Sequence, residues 1–230
     1  RAEDVLMTQV PLFGARLSKS QSAQGRELIA RGVVPSVSLS AFRYDLSDSD
    51  RNAVAMLCAV NGMQYLSTPS PRGEQATSYL AGDLPRNTIG AIDYCGSAVF
   101  GKEELLLLDG YETQLYNLLI GGLESLTLEV DGVPVELTFP GPARIRVDLA
   151  GETPWIRIRV PVRADTADAA PYYERLKQDV AGLLLKLQQQ GLDPVYFSKY
   201  ARAQTRTFAE WKSLDWRALY HRANFDIDVV

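Results

Sequence analysis

The sequence is poor in the residues that build most catalytic and metal sites. Its 230 residues include one histidine, His221, and two cysteines, Cys58 and Cys95. Structural zinc sites use four Cys or His ligands, and a nucleophilic triad needs a histidine with partners brought beside it. This composition excludes a Cys/His metal site and leaves an all-carboxylate site open. We interpret His221 as a surface residue at the end of a helix.

Several motifs are missing as well. The chain contains no G-x-G-x-x-G, P-loop or G-x-S-x-G motif, so nothing predicts a cofactor. Its longest apolar run, "AVAMLCAV", is far shorter than the roughly 20 residues of a membrane-spanning helix. The net charge is -4 and no long run of Lys or Arg occurs, which argues against a nucleic-acid partner. We therefore expect no cofactor, no metal and no nucleic acid.

The two cysteines leave a question open. Both lie in apolar stretches that are far apart in the sequence. Because a sequence cannot place two sulfurs at bonding geometry, two buried thiols and one disulfide both fit.

The second half of the chain alternates apolar and polar residues as half-buried strands do. The segments "RIRVDL" from Arg144 and "WIRIRVPV" from Trp155 alternate most regularly. "SLTLEV" and "PVELTF" flank the hairpin signal Asp131–Gly132, and another strand pair is predicted around Gly101–Lys102. This pattern is typical of an antiparallel sheet with one face on a core and one in water.

Helices are predicted between and after these strands. One spans Tyr111–Ile120 and stops at two glycines, and a longer one has Pro171 in its first turn. Asp193–Pro194 marks the start of a further helix with Asp193 as its cap, and "NFDIDVV" predicts a final strand. The longer helix carries an apolar stripe that consists of Tyr173, Leu176, Val180, Leu183, Leu184 and Leu187.

The first half is less regular. "QSAQGRELIARG" predicts a short helix ended by Gly32, "VVPSVSLSAF" an extended segment, and "RNAVAMLCAV" a buried strand, with a buried helix as the alternative. The stretch that follows, as far as residue 90, is rich in Pro, Gly, Ser and Thr and predicts a surface connection. The whole pattern predicts an α+β fold: an antiparallel sheet with helices packed on one face, preceded by a smaller α+β domain. We expect the domains to span residues 1–92 and 93–230.

The role of Glu112 largely decides whether the sequence predicts an enzyme. Asp109 and Glu112 have capping-box spacing, in which each side chain accepts from the backbone N–H of the other residue. Both carboxylates would also lie at the positive end of the helix dipole. A general acid needs a partner and a cleft, and no second carboxylate is placed to help. We interpret Asp109 and Glu112 as a structural helix cap, with a catalytic Glu112 as the alternative.

Two other polar clusters have a structural and a functional interpretation. Asp45, Asp48 and Asp50 in "DLSDSD" lack the glycine and terminal Glu of a calcium loop, so turn and cap roles are favoured. The strand face that carries Trp155, Arg157 and Arg159 is either a solvated surface or a site for a phosphate or an acidic partner. We keep Trp155, Arg157 and Arg159 as the candidate partner surface.

The order of motifs in the second half resembles that of the Ger(x)C family, the C subunits of nutrient germinant receptors in spore-forming bacteria. "GSAVFGKEELLLLDGYET" is similar to the family's Ala-Val-Phe, Lys-containing turn, apolar strand and Glu-Thr helix start, although Gly101 replaces a commonly polar residue. "IRIRVPV" resembles the strand before the family's long helix. The ending resembles the family's C-terminal pattern at Gln188, Asp193, Phe197, Trp211, Trp216 and the strand from Phe225.

The resemblance covers about Cys95 to Val230, and "AEDVL" and "GVVPSVSLSAF" are similar to parts of the family's middle domain. It implies a non-enzymatic subunit of a nutrient germinant receptor, needed for spore germination in response to nutrients. Its partners would be the integral-membrane and other receptor subunits. It would be held on the outer face of the inner spore membrane by a lipid anchor that lies outside this sequence.

The resemblance supplies no catalytic or ligand residues to carry over. One alternative is a module that binds a small nutrient directly in a cleft between the two domains. Another is a hydrolase that uses Glu112 or an aspartate.

Overall fold

The computed structural model describes residues 25–48, 50–60, 79–81 and 92–230. The segment "AEDVL" and most of the predicted surface connection lie outside these residues. Among the described residues, no helix combines the length and hydropathy needed to cross a bilayer.

The described residues before position 61 form two helical segments and one strand. Residues 25–30 are helical, and Gly32, with a φ of 70°, follows them as predicted. Helix α1 spans Leu39–Ser47, so the prediction of an extended segment through Phe42 was wrong from Leu39 onward. The cause is local, because the Ser38 side chain caps the helix by accepting from the Ala41 N–H at 3.1 Å. The predicted buried strand is confirmed as β1 (Ala53–Val60).

The first sheet joins this upstream part to the rest of the chain. Strand β2 (Ile92–Phe100) lies between β1 and β3 (Leu105–Leu108), antiparallel to both. The expected domain boundary after residue 92 therefore falls inside β2, and the sheet takes strands from both sides of it. The boundary stays a prediction.

The second sheet forms around the predicted hairpin. Helix α2 (Gly110–Ile120) ends at Gly121, whose φ of 81° is left-handed, and leads into β4 (Ser125–Val130). Strand β5 (Val133–Thr138) pairs with β4 through Asp131 and Gly132, which have φ values of 52° and 79°. Positive φ at both turn residues is what a tight two-residue hairpin requires. The short strand β8 (Arg163–Ala164) completes this sheet.

The third sheet contains the most regular strands. Strand β7 (Trp155–Val160) lies between β6 (Arg144–Asp148), which is antiparallel to it, and β9 (Asn224–Val229), which is parallel. The predicted α+β class is confirmed, and the described strands pair antiparallel except for β7 with β9. A parallel neighbour needs a long crossover, and here the C-terminal helices supply it.

Four helices form this crossover. They are α3 (Ala170–Gln189), α4 (Phe197–Arg202), α5 (Phe208–Ser213) and α6 (Trp216–His221). The predicted stripe on α3 is buried from Leu176 to Leu187, although Tyr172 rather than Tyr173 is its buried tyrosine. The stripe packs in one continuous core with α2 and the inner faces of the second and third sheets.

Candidate functional site

The exposed face of the third sheet presents three side chains from each of its strands. Side chains alternate along β7, so Ile156, Ile158 and Val160 lie in the core and the residues before them face solvent. The outward residues form three cross-strand rows, which are Arg144–Arg159–Asp228, Arg146–Arg157–Asp226 and Asp148–Trp155–Asn224. We call these nine side chains the arginine face. The structure thus brings Trp155, Arg157 and Arg159 together on one exposed surface.

Aspartates neutralise the arginines of the central strand. Arg159 Nε lies 3.5 Å from Asp228 Oδ2, and Arg157 Nε lies 3.9 Å from Asp226 Oδ2. A terminal guanidinium nitrogen of Arg157 also lies 3.9 Å from Asp148 Oδ2. These side chains are about half exposed, so water screens the pairs and each adds little to stability.

The arginines of β6 have no such neighbours. Arg144 and Arg146 form no ion pair within the described part of the chain, and both are exposed. In the register of the sheet they lie directly opposite Arg159 and Arg157. Like charges in this position destabilise a sheet. The arginine face therefore contains opposed like charges, and carboxylates of a bound partner would reduce their repulsion.

The arginine face is shallow. It contains a depression of about 300 Å³ whose lining includes all four arginines together with Asp226 and Asp228. Trp155, 45% exposed, stands beside the charged rows. The exposed indole and the arginines without ion pairs are residue types that are enriched at the centres of protein interfaces.

Glu112 is bound into the fold. Asp109 Oδ1 accepts from the Glu112 N–H at 2.8 Å, and Glu112 Oε2 accepts from the Asp109 N–H at 3.1 Å, which completes a capping box. The same Glu112 oxygen lies 2.6 Å from Lys186 Nζ on α3, and Lys186 also donates to the Leu107 carbonyl at 3.0 Å. The side chain of Glu112 is only 4% exposed. The sequence predicted the capping box but not the ion pair between Glu112 and Lys186.

Asp193 is the centre of a second buried polar cluster. Its carboxylate accepts from the N–H groups of Phe197 and Ser198, at 2.9 and 3.0 Å, and so caps the first turn of α4. The predicted helix start at Pro194 was wrong, because α4 starts at Phe197 and Tyr196 lies directly before it. The indole of Trp216 also donates to it, at 3.2 Å. Burial raises the pKa of Asp193 to about 6, and these N–H donors hold it from rising further.

This cluster ties the upstream residues to the C-terminal helices. The Asp193 N–H donates to Asn52 Oδ1 at 2.7 Å, and the Ser198 hydroxyl donates to the Asp50 carbonyl at 2.6 Å. The Trp211 indole donates to Asp50 Oδ2 at 2.9 Å. Nothing in the sequence predicts that the indole N–H groups of Trp211 and Trp216 bind aspartates.

The comparisons with known proteins bear on this geometry. Residues 95–230 match the model of a protein family described as "Spore germination B3/GerAC like, C-terminal". This chain belongs to that family. The match covers the second and third sheets, the helical crossover and the final parallel strand, and it confirms the family that the sequence resembles.

A solved structure has the same fold. A crystal structure of the GerBC protein aligns with a TM-score of 0.51 at 20% identity, over 61% of the GerAC-like chain and 51% of that protein. The chain thus spans about half the length of that structure. A search of curated protein sequences finds no match.

The remaining candidate residues of the GerAC-like chain do not converge on a site. Asp45 binds Arg51 at 3.2 Å, and Asp48 Oδ1 accepts from the Asp50 N–H at 2.9 Å, a local turn. His221 ends α6 and is exposed. No group of three His, Cys, Asp or Glu residues in the described ranges could hold a metal ion.

The two cysteines of the GerAC-like chain are thiols rather than a disulfide. They lie on the neighbouring strands β1 and β2, and the buried Cys95 thiol donates to the Tyr79 carbonyl at 3.2 Å. This settles the alternative that the sequence left open.

Proposed function

We propose that the chain is the non-enzymatic, partner-binding part of a nutrient germinant receptor and is needed for spore germination in response to nutrients. Membership of the GerAC-like family supports the receptor role. The arginine face carries the proposal of how it acts: Trp155, Arg157 and Arg159 form the centre of a surface that docks on another receptor subunit. The integral-membrane subunit is the first candidate partner, with the protein held by a lipid anchor on the outer face of the inner spore membrane.

The charges of the arginine face define the partner. Arg144 and Arg146 are exposed and face other arginines across the strands. A partner that brings two carboxylates to β6 would complete the pattern that Asp226 and Asp228 already form on β9. Charge complementarity of this kind sets the register of a complex and speeds its association. We therefore expect an acidic segment on the partner beside an apolar pocket for Trp155.

The roles of the buried acids support a function without catalysis. Glu112 is bound to Lys186 and to the Asp109 N–H, and Asp193 is bound to three N–H donors. A general acid or base must reach a substrate, and these carboxylates are directed into the fold.

The experiment that tests the role in germination uses spores that lack the gene. Germination is followed as the loss of optical density after nutrients are added, with a non-nutrient trigger as the control. The proposal predicts failure with one or more nutrients and a normal response to the non-nutrient trigger. Normal germination with every nutrient, in spores that carry no second receptor of this type, would contradict it.

A second candidate function is direct binding of a small nutrient. It is favoured by a groove of about 330 Å³ between the upstream residues Arg31 and Val33, the Gln114 side chain on α2 and the strand β4. Polar groups at the edge of a groove of this size suit an amino acid or a sugar. Calorimetry of the protein against a panel of amino acids and sugars tests it, with Arg31→Ala as the variant that should lose any binding observed.

A further inference from the structure

The C-terminal helices carry a charge opposite to that of the whole chain. Residues 196–223 hold six of the 24 Lys and Arg residues but only two of the 28 Asp and Glu residues, in a chain of net charge -4. All six basic side chains in this segment are exposed. An asymmetry of this size points to an anionic binding partner for this end of the molecule.

An exposed aromatic ring lies at the centre of these charges. Phe208 opens α5 and is 60% exposed. The guanidinium carbon of Arg202 lies 5.3 Å from the centre of its ring, and Lys212 Nζ lies 5.4 Å from it. Lys199 is one helical turn before Arg202 on α4, and Arg206 lies between the two helices. We call Lys199, Arg202, Arg206, Phe208 and Lys212 the basic cap.

The cations of the basic cap are not neutralised within the described chain. No carboxylate of the described residues lies within ion-pair distance of Lys199, Arg202 or Lys212. The acid nearest in sequence, Glu210, accepts from the backbone N–H of Arg206 at 2.7 Å. Two cations therefore converge on one apolar ring without a countercharge.

The basic cap is held rigidly. Trp211 follows Phe208 by three positions on α5, is buried, and donates its indole N–H to Asp50. On the neighbouring helix, the buried Asp193 caps the first turn of α4. Thr207 caps α5 by accepting from the Glu210 N–H at 3.1 Å. The helices thus present a fixed array of charges around Phe208.

We propose that the basic cap binds an anionic lipid surface, with Phe208 inserted among the headgroups and Lys199, Arg202 and Lys212 on lipid phosphates. An exposed aromatic ring with flanking cations suits a lipid interface, which needs no matching shape, and the two grooves described above lie elsewhere on the molecule. An acidic protein would need a complementary pocket around the same ring. The inference stands on the charge and exposure of these helices and not on the receptor role.

Vesicle flotation tests this proposal. The protein is mixed with vesicles of phosphatidylcholine alone or of equal parts phosphatidylcholine and phosphatidylglycerol. We expect binding to the phosphatidylglycerol vesicles only, and its loss at high salt, because screening weakens each contact. The double substitution Arg202→Gln with Lys212→Gln should weaken binding about 30-fold.

Matched variants separate the basic cap from general charge and apolarity. Arg163→Gln and Lys177→Gln together remove two exposed cations elsewhere and should bind as the wild type does. Phe208→Ala should weaken binding, whereas Leu185→Ala, which removes an apolar side chain that is 51% exposed, should not. Equal losses in cap and control variants would overturn the proposal. No binding to phosphatidylglycerol vesicles, with retained binding to polyglutamate, would overturn it in favour of an acidic protein partner. Neither outcome changes the germination test of the receptor role.

Discussion

Glu112 and Asp193 are both buried carboxylates at helix starts, but the fold satisfies them differently. Glu112 is matched by a cation, since Lys186 Nζ lies 2.6 Å from its oxygen. Asp193 accepts only from N–H groups: two of the backbone and one of an indole. Burial raises the pKa of Asp193 to about 6, the expected result when hydrogen bonds alone oppose desolvation. Both acids hold helices in place, so an acidic residue in the core of this chain is no sign of catalysis.

The largest effect should follow from Asp193→Ala. The substitution leaves the buried N–H donors of Phe197, Ser198 and Trp216 without their acceptor. We expect a loss of roughly 3–5 kcal/mol in the free energy of unfolding, measured by chemical denaturation. Asp215→Ala is the matched control, because Asp215 caps α6 through a single exposed N–H, from Ala218, and should cost about 1 kcal/mol. Equal losses would show that the buried cluster adds nothing to an ordinary cap.

Lys186→Met should have the next largest effect. It removes the cation that lies 2.6 Å from the buried Glu112 carboxylate, at an expected cost of about 2–3 kcal/mol. Lys177→Met on the exposed side of the same helix is the control and should change stability by less than about 0.5 kcal/mol. A Lys186 variant as stable as this control would contradict the ion-pair account of Glu112.

Glu112→Gln should be milder than Lys186→Met. Glutamine keeps an oxygen for the Asp109 N–H, and Lys186, which is 30% exposed, can turn toward water. We expect a loss of about 1–2 kcal/mol, and spores with this variant should germinate normally. Loss of function without loss of stability would favour the catalytic alternative for Glu112.

The smallest effect concerns the pH dependence that Asp193 gives to stability. Because the pKa of Asp193 is raised above its usual 3.8, the folded state binds a proton that the unfolded state releases, and stability from this group grows as the pH falls through 6. Between pH 7 and pH 5 the wild type should gain about 1 kcal/mol relative to Asp193→Ala. Denaturation curves of the wild type and of Asp193→Ala at pH 7 and pH 5 measure this gain. If the two proteins differ in stability by the same amount at both pH values, the pKa of Asp193 is not raised on folding.

Local features of this fold could be predicted from the sequence. The capping box of Asp109 and Glu112 and the Asp131–Gly132 hairpin depend on residues at most three positions apart. The alternation of β6 and β7 defined which side chains face water. The start of α1 was missed because the cap at Ser38 was taken for part of an extended segment.

Long-range contacts could not be predicted in this way. Lys186 meets Glu112 across 74 positions, and Trp211 reaches Asp50 across 161. Alternation also predicts the faces of a strand but not its neighbours, so the parallel pairing of β9 with β7 and the opposed arginines became visible only in the structure.

We propose that the chain acts by docking its arginine face on another receptor subunit. The most direct test exchanges the charges of the rows Arg157–Asp226 and Arg159–Asp228 in the full-length protein. The exchange keeps an ion pair between β7 and β9 in both rows and reverses the charges that a partner meets on these strands, although it removes the weaker pair of Arg157 with Asp148. Co-isolation of the integral-membrane subunit from spore membranes is then measured, with Arg163→Asp on β8 as the control. We predict that the control retains the membrane subunit and that the exchanged protein, folded and equally abundant, loses it. Co-isolation of the exchanged protein at the wild-type level would contradict the claim.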